Sequence, residues 1–201
     1  MNRSLRLAIT SPLLISLVLA LSLAASPVAA LDVIFLVRHA EKVDDWPAAR
    51  DLDAFRPLTA AGVARAEALA ARLKGEGIGA IYSSRTTRSL ATGEPLAKAT
   101  AKPLTADDAS TKPAEMDGFL TALREKHPAD HAVLIVGHSN TVPELLVRLG
   151  AKPECFQRLG ITGQAGSLMT ESYDGLWRVD LKKQGCEAIA RETLAENRPS
   201  R

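Results

Sequence analysis

Two stretches decide the fold of this chain: VIFLVRH at residues 33–39 and AVLIVGH at residues 132–138. In each stretch a continuous run of aliphatic and β-branched residues, of strand length, ends in a histidine. Uninterrupted apolar runs of this kind are typical of strands that are buried on both faces of a parallel sheet. Strand-like and helix-like patterns alternate between them, which predicts an α/β protein: a three-layer sandwich with a mostly parallel central sheet flanked by helices.

The surrounding elements follow from periodicity and from turn residues. Thr59 is a suitable N-cap for the first helix, and Gly75 is a suitable residue to end it. We expect helices over residues 60–74, 86–99, 113–126 and 141–149, and short strands over 78–82 and 103–106. Near the end of the chain, Asp174-Gly175 predicts a hairpin between strands 167–172 and 176–181, and a charged surface helix is expected over 187–196.

Residues 1–30 have the features of a secretory signal peptide. Arg3 and Arg6 precede an uncharged apolar run, and small residues lead up to Ala30. This pattern predicts cleavage after Ala30, leaving one domain over residues 31–201 that is periplasmic or secreted and has no stable membrane association. The alternative is an uncleaved membrane anchor, since the uncharged stretch is long enough to span a bilayer.

Composition narrows the possible partners. The chain has 201 residues, 25 Lys and Arg against 23 Asp and Glu, and 4% aromatic residues. The apolar content is ample for a globular core, which excludes a disordered protein. With no basic excess and few aromatic rings for base stacking, we expect no nucleic-acid partner.

Two cysteines, Cys155 and Cys186, are present. In an oxidising compartment they can form a disulfide, and they can equally be small buried hydrophobic residues, so the sequence leaves both states open.

The histidines that end the two apolar runs carry the predicted chemistry. Ligands of parallel sheets bind beyond the carboxyl ends of the strands, so His39 and His138 converge if their strands are neighbours. Arg38 favours an anionic ligand, and Arg85 and Arg88 lie where a helix begins, a position that favours phosphate. This set predicts phosphoryl transfer through a phosphohistidine, with one imidazole as the nucleophile and the arginines and the second imidazole stabilising charge on the transferred oxygens.

The same residues allow two other chemistries. A zinc site made of both histidines and Glu41 is disfavoured, because the adjacent arginine would repel the metal ion. The segment GHSNT at residues 137–141 is similar to the nucleophile elbow of serine hydrolases, with Ser139 as the nucleophile. That mechanism needs a histidine after the serine, and the sequence has none beyond His138.

Four segments, in order along residues 33–149, resemble motifs of the histidine phosphatase superfamily, which includes phosphoglycerate mutases, phosphohistidine phosphatases and acid phosphatases. They are Arg38-His39 followed by Ala40-Glu41-Lys42, Leu58-Thr59 with Gly62, Ser83-Ser84 through Arg88 to Thr92, and Gly137-His138. The resemblance implies a phosphoglycerate mutase-like fold. It also implies that His39 is the phosphorylated nucleophile, that Arg38, Arg88 and His138 complete a phosphate pocket, and that no metal or cofactor is needed.

The general acid departs from the family patterns. Acid phosphatases have Asp after the second histidine, where this chain has Ser139-Asn140. The nearest candidate for the mutase-type acid is Glu115, and Asp107 and Asp108 are others. The resemblance implies a phosphatase that hydrolyses phosphomonoesters or other phosphoryl compounds of small size, and the predicted signal peptide indicates that it is exported. The alternative is an inactive module that binds phosphate or a phosphorylated ligand. The polar segment 41–57 is expected to lie over the pocket as a lid.

Overall fold

A computed structural model of the chain describes residues 31–47, 50–164 and 166–194. The strands are β1 Val33–Arg38, β2 Ile78–Ser83, β3 Leu104–Ala106, β4 Ala132–Gly137, β5 Gly175–Asp180 and β6 Ile189–Thr193. The helices are α1 Arg50–Asp53, α2 Ala60–Leu73, α3 Thr87–Thr100, α4 Met116–Lys126, α5 Thr141–Arg148 and α6 Pro153–Leu159.

The predicted signal peptide covers residues 1–30, which lie outside the described residues, and it stays a prediction. Among the helices of the described part, none is both long and apolar enough to cross a membrane.

The strands form one six-stranded sheet in the order β3-β2-β4-β1-β5-β6. The first four in this order are parallel to one another, and β5 and β6 are antiparallel to their neighbours. Strands β1 and β4 pair directly, with Val33 opposite Ala132 and Arg38 opposite Gly137. The predicted α/β class with a mostly parallel central sheet is therefore confirmed.

The sheet lies between two helical layers, as the continuous apolar strands require. Successive side chains of a strand point to opposite faces. Ile34 and Leu36 of β1 accordingly pack in the core cluster that includes residues of α4, α5 and α6, whereas Phe35 packs in a second cluster with Leu69 of α2 and Leu96 of α3. All these side chains are buried, so both faces of the central strand are covered.

Two predictions near the end of the chain are wrong. Residues 167–172 form no strand, and β5 pairs instead with β1 and β6. Residues 187–193 are not a helix: a short 3₁₀ turn, Gly185–Ala188, leads into β6. Strand β6 lies at the edge of the sheet, where its charged side chains are tolerated, and its Ile189 is buried. Backbone pairing with β5 therefore outweighs the helical propensity of the charged residues.

The structure resolves the state of the cysteines. Cys155 of α6 and Cys186 of the 3₁₀ turn form a disulfide, with their Cα atoms 5.9 Å apart. Helix α6, which sequence periodicity did not predict, is thereby joined covalently to the segment that leads into the edge strand β6.

Candidate active site

The carboxyl ends of β1 and β4 bring the two histidines together. Because these strands are parallel neighbours, His39 and His138 leave the sheet at the same edge. Their ring centroids are 5.3 Å apart and the ring planes are inclined by 67°. The predicted convergence of the two imidazoles is therefore present.

His39 is held in one tautomer. Its Nδ1 lies 2.8 Å from the carbonyl oxygen of Ala40, which can only accept a hydrogen bond, so Nδ1 carries the hydrogen and Nε2 has a free lone pair. Burial lowers the pKa of His39 to about 3, and the positive charges of Arg88 and Arg38 add to this effect. At neutral pH the ring is thus uncharged and has a free lone pair on Nε2.

Thr92 connects the end of β1 to the start of α3. The backbone N–H of Ala40 donates to Thr92 Oγ1 at 2.9 Å, and this hydroxyl donates to the carbonyl oxygen of Arg88 at 2.7 Å. The backbone N–H of His39 donates to the Gly137 carbonyl oxygen at 2.9 Å. Thr92 follows Arg88 by one helical turn, so its hydroxyl reaches the Arg88 carbonyl oxygen and the backbone N–H of the residue after His39. This spacing ties the start of α3, which carries Arg88, to the end of β1, which carries His39.

The turn from β4 into α5 requires Gly137. A Cβ atom there would lie 2.9 Å from Thr141 Oγ1 and 3.0 Å from a methyl group of Val142. The same Thr141 hydroxyl accepts a hydrogen bond from the backbone N–H of His138 at 2.8 Å. The glycine therefore permits the close strand-to-helix turn on which His138 is presented.

A chain of hydroxyl groups orients His138. Its Nε2 lies 2.9 Å from Ser84 Oγ, which lies 3.1 Å from Thr86 Oγ1, and Thr86 donates to Ser89 Oγ at 3.0 Å. Since each hydroxyl has one hydrogen, Ser84 donates to Thr86 and accepts from His138 Nε2. Burial, followed by the charges of Arg88 and Arg38, lowers the pKa of His138 to about 4.

Arg38 is fixed by residues that sequence reasoning did not single out. Its Nη1 donates to the carbonyl oxygens of Thr170 at 3.3 Å and Glu171 at 2.6 Å, and its Cζ lies 3.8 Å from the ring centroid of Tyr173. The Tyr173 ring is also 5.9 Å from that of His39. The sequence placed Tyr173 in a hairpin turn, so nothing in the pattern indicated a cation–π contact with the pocket arginine.

The segment predicted as a lid reaches Arg88. This arginine is 8% exposed, its Nη1 donates to the Asp53 carbonyl oxygen at 2.7 Å, and its Nη2 lies 3.1 Å from Asp53 Oδ2. The Thr87 N–H donates to the Ala54 carbonyl oxygen at 2.8 Å. Arg85, in contrast, is exposed and pairs with Asp108 at 3.2 Å, which agrees with the preference for Arg88 as the phosphate residue.

The structure does not bring Glu115 together with the histidines. Its carboxylate lies 3.1 Å from Lys112 Nζ, and it faces a groove of about 410 Å³ whose lining includes none of the four predicted pocket residues. Its role as the proton donor therefore stays a prediction.

Glu41, the third residue of the zinc alternative, is bound by the Arg65 guanidinium, with Nε 2.8 Å from Oε1. Within the described residues there is no group of three or more His, Cys, Asp or Glu side chains that could hold a metal ion.

Ser139 contributes its backbone to the site. Its carbonyl oxygen accepts a hydrogen bond from the Thr170 N–H at 2.8 Å, which ties the segment that holds Arg38 to the turn that carries His138. This contact involves only backbone atoms. It therefore gives no support to the serine hydrolase alternative, which requires the side-chain hydroxyl of Ser139.

Comparison with protein families confirms the resemblance. The model of the histidine phosphatase superfamily (branch 1) matches residues 34–110, a range that contains Arg38, His39 and Arg88. Among curated proteins, comparison finds no match.

Solved structures share the fold. A protein from Agrobacterium tumefaciens described as a phosphohistidine phosphatase SixA is 23% identical with a TM-score of 0.58, and the match covers 82% of this chain and 98% of that one. The protein histidine phosphatase SixA complexed with tungstate is 21% identical with a TM-score of 0.55, covering 80% and 94%. A mycobacterial glucosyl-3-phosphoglycerate phosphatase with inorganic phosphate is 17% identical with a TM-score of 0.55, covering 83% and 97%. The phosphoglycerate mutase-like fold is thus confirmed.

Proposed function

We propose that this chain is a phosphatase that hydrolyses small phosphomonoesters or other phosphoryl compounds through a phosphohistidine on Nε2 of His39. The observation that carries the proposal is the hydrogen bond from His39 Nδ1 to the Ala40 carbonyl oxygen, which leaves Nε2 unprotonated beside Arg38, Arg88 and His138. A neutral imidazole nucleophile among cationic donors suits attack on an anionic phosphoryl group.

The reaction has two displacements at phosphorus. In the first, the lone pair of His39 Nε2 forms a bond to phosphorus while the bond to the leaving group breaks and its electron pair stays with the leaving atom. In the second, water attacks phosphorus, the P–N bond breaks, and inorganic phosphate and the free imidazole result. The guanidinium groups of Arg38 and Arg88 stabilise the equatorial oxygens in both steps, with the neutral His138 ring beside them, so the mechanism we propose requires no metal ion.

Leaving groups that depart without protonation are the best substrates in this proposal. Glu115 pairs with Lys112 and lines a groove whose lining includes neither histidine, and Asn140 cannot donate a proton to a departing alkoxide. Phosphohistidine, acyl phosphates and aryl phosphates therefore fit the pocket chemistry better than alkyl phosphates. Structural neighbours determined with tungstate and with inorganic phosphate agree with a ligand of this class.

We further propose that the protein works outside the cytoplasm, in the periplasm or as a secreted enzyme. The support is the predicted signal peptide over residues 1–30 and the Cys155–Cys186 disulfide, since such bonds persist in oxidising compartments. Fractionation of cells that express the full chain, followed by N-terminal sequencing, tests both export and cleavage after Ala30. Protein found only in the cytoplasm with an intact N-terminus would contradict this proposal.

The decisive experiment measures hydrolysis of p-nitrophenyl phosphate in EDTA between pH 4 and 8 by the purified protein and by His39→Ala. We expect turnover in the native protein and its loss in His39→Ala. The matched control is His131→Ala, which removes an exposed histidine that pairs with Asp32 at 2.9 Å, outside the pocket. Rapid quenching with ³²P-labelled substrate should label the native protein in an acid-labile, alkali-stable form.

Turnover that persists in His39→Ala would overturn the phosphohistidine mechanism. A folded native protein that binds inorganic phosphate without turnover at any of these pH values would favour the alternative of a phosphate-binding module.

A further inference from the structure

The guanidinium group of Arg88 is engaged by the protein itself. Its Nη1 donates to the backbone carbonyl oxygen of Asp53 at 2.7 Å, and its Nη2 lies 3.1 Å from the carboxylate oxygen Oδ2 of the same residue. Both terminal nitrogens of the guanidinium group therefore contact Asp53. These nitrogens are donors with which an arginine binds a phosphate group, and a carboxylate is an anion that competes for them.

The site is closed in this state. His39 is 4% exposed and Arg88 is 8% exposed. In the proposed mechanism a phosphoryl group contacts His39 Nε2 and Arg88 at the same time, so neighbouring groups must move before it binds. The contact between Asp53 and Arg88 places an anion of the protein on a residue that the mechanism assigns to the anion of the substrate.

The backbone next to Asp53 takes part in the same contact. The Thr87 N–H, at the start of α3, donates to the Ala54 carbonyl oxygen at 2.8 Å. Because Asp53 also reaches Arg88 through its own carbonyl oxygen, a rotation of the carboxylate alone does not release the guanidinium group. Release of Arg88 requires the backbone of Asp53 and Ala54 to move away from the start of α3.

Exposure and charge make Asp53 the partner that can leave. Its side chain is 43% exposed, whereas that of Arg88 is 9% exposed. The carboxylate regains water when it leaves, but a buried guanidinium group without an anion is unfavourable. Asp53 also keeps a partner, because its Oδ1 lies 3.2 Å from Nε of Arg56, three residues further along the same segment. Exchange of Asp53 for another anion is therefore easier than opening without one.

We propose that the Asp53 carboxylate is an intramolecular competitor of the substrate. It pairs with Arg88 in the free protein, and a bound phosphoryl group takes its place while Asp53 stays paired with Arg56. This inference rests on the proposed function, which assigns Arg88 to the phosphoryl group, and it adds a means of regulation. The apparent affinity for phosphate is reduced by the fraction of molecules in which Arg88 is engaged, so any change that weakens the Asp53 contact raises this affinity.

The first test measures the binding of inorganic phosphate by isothermal titration calorimetry of the full chain. We expect Asp53→Asn and Asp53→Ala to bind phosphate about threefold to tenfold more tightly than the native protein, since a tenfold gain corresponds to an engaged Arg88 in about nine of ten molecules. Asp45→Asn is the matched control. It removes the same charge from an exposed residue of the same polar segment and should leave the affinity unchanged.

The second test uses the native protein and needs no variant. Amide hydrogen exchange at Thr87, followed by NMR, reports on the hydrogen bond to the Ala54 carbonyl oxygen. We expect saturating phosphate to accelerate this exchange, because the phosphate displaces the backbone that accepts the bond. If Asp53 instead positions Arg88 for the substrate, phosphate slows the exchange at Thr87 and Asp53→Ala binds phosphate more weakly.

Several outcomes would overturn the competition. They are unchanged or weaker binding by both Asp53 variants, an equal gain in Asp45→Asn, exchange at Thr87 that phosphate does not accelerate, and absence of phosphate binding by every protein tested. The p-nitrophenyl phosphate assay on the same preparations reports separately on the proposed function. Tighter phosphate binding by the Asp53 variants without turnover by the native protein would contradict the phosphatase and leave the competition at Arg88 intact.

Discussion

His39 is buried and His138 is half-buried, and the environment of each ring, close to the charges of Arg38 and Arg88, favours the neutral form. Burial is the main cause, and it lowers the pKa values to about 3 and about 4 from the ordinary histidine value of 6.5. Both rings are therefore uncharged across the physiological range, which suits the proposed role of His39 as nucleophile while the arginines supply the positive charge.

These shifts predict that neither ring titrates between pH 5 and 8. NMR spectra of the imidazole groups, assigned with His39→Gln and His138→Gln, should show constant shifts for both rings in this range. Because the unfolded chain binds more protons at these positions, the free energy of unfolding should fall as the pH decreases from about 6.5 towards 4. A midpoint between 6 and 7 for either ring would contradict the argument.

Tyr173 is predicted to position Arg38. Replacing it by Leu removes the aromatic ring 3.8 Å from the guanidinium, and we expect the KM for p-nitrophenyl phosphate to rise roughly threefold to tenfold because Arg38 is less well oriented. Steady-state kinetics separate this from an effect on kcat. Tyr173→Phe keeps the ring and should retain the native KM; a defect equal to that of the Leu variant would assign the effect to the hydroxyl group instead.

The start of α2 is docked closely on the segment that follows His39. Thr59 caps the helix through its side chain, which accepts from the Gly62 N–H at 3.0 Å, and its own N–H donates to the Glu41 carbonyl oxygen at 2.9 Å. A Cβ atom at Gly62 would overlap that carbonyl group. This close approach explains why glycine stands inside a helix, where it is otherwise unfavourable.

Gly62→Ala should therefore destabilise the protein even though alanine is the better helix former. We expect the free energy of unfolding to fall by about 1–3 kcal/mol, measured by urea denaturation. Gly118→Ala in α4 is the matched control, because a Cβ atom there meets no other atom within 4 Å. It should stabilise the protein by about 0.5–1 kcal/mol, and a similar gain for Gly62→Ala would refute the close-packing explanation.

The Cys155–Cys186 disulfide ties α6 to the antiparallel side of the sheet. The bond spans 31 residues of sequence, so it restricts the unfolded chain considerably. The double variant Cys155→Ala/Cys186→Ala should lower the free energy of unfolding by about 2–4 kcal/mol. Reducing the native protein with dithiothreitol should produce the same loss in urea denaturation, whereas a difference between the two would indicate that the alanines disturb the packing of α6.

Strong local patterns fixed much of the architecture in advance. The apolar runs of β1 and β4 are buried on both faces, so their hydrophobicity alone identified them as strands. Helices α2 and α5 begin within one residue of the predicted positions. Helix α6 and strand β6 were missed because they are short and charged. Their stability comes from the disulfide and from pairing with β5, and neither contact is local in sequence.

The sequence by itself determined the α/β class and identified His39, His138, Arg38 and Arg88 as candidate site residues. Buried strands are recognisable as continuous apolar runs, and the polar residues at the strand ends are adjacent to these runs in the sequence. Only the tertiary structure decided which side chains complete the site. Tyr173 reaches Arg38 across 135 positions, Asp53 reaches Arg88 from the lid segment, and Glu115 faces a different groove. Contacts between residues far apart in sequence depend on how whole elements pack, and packing has no local sequence pattern from which it can be read.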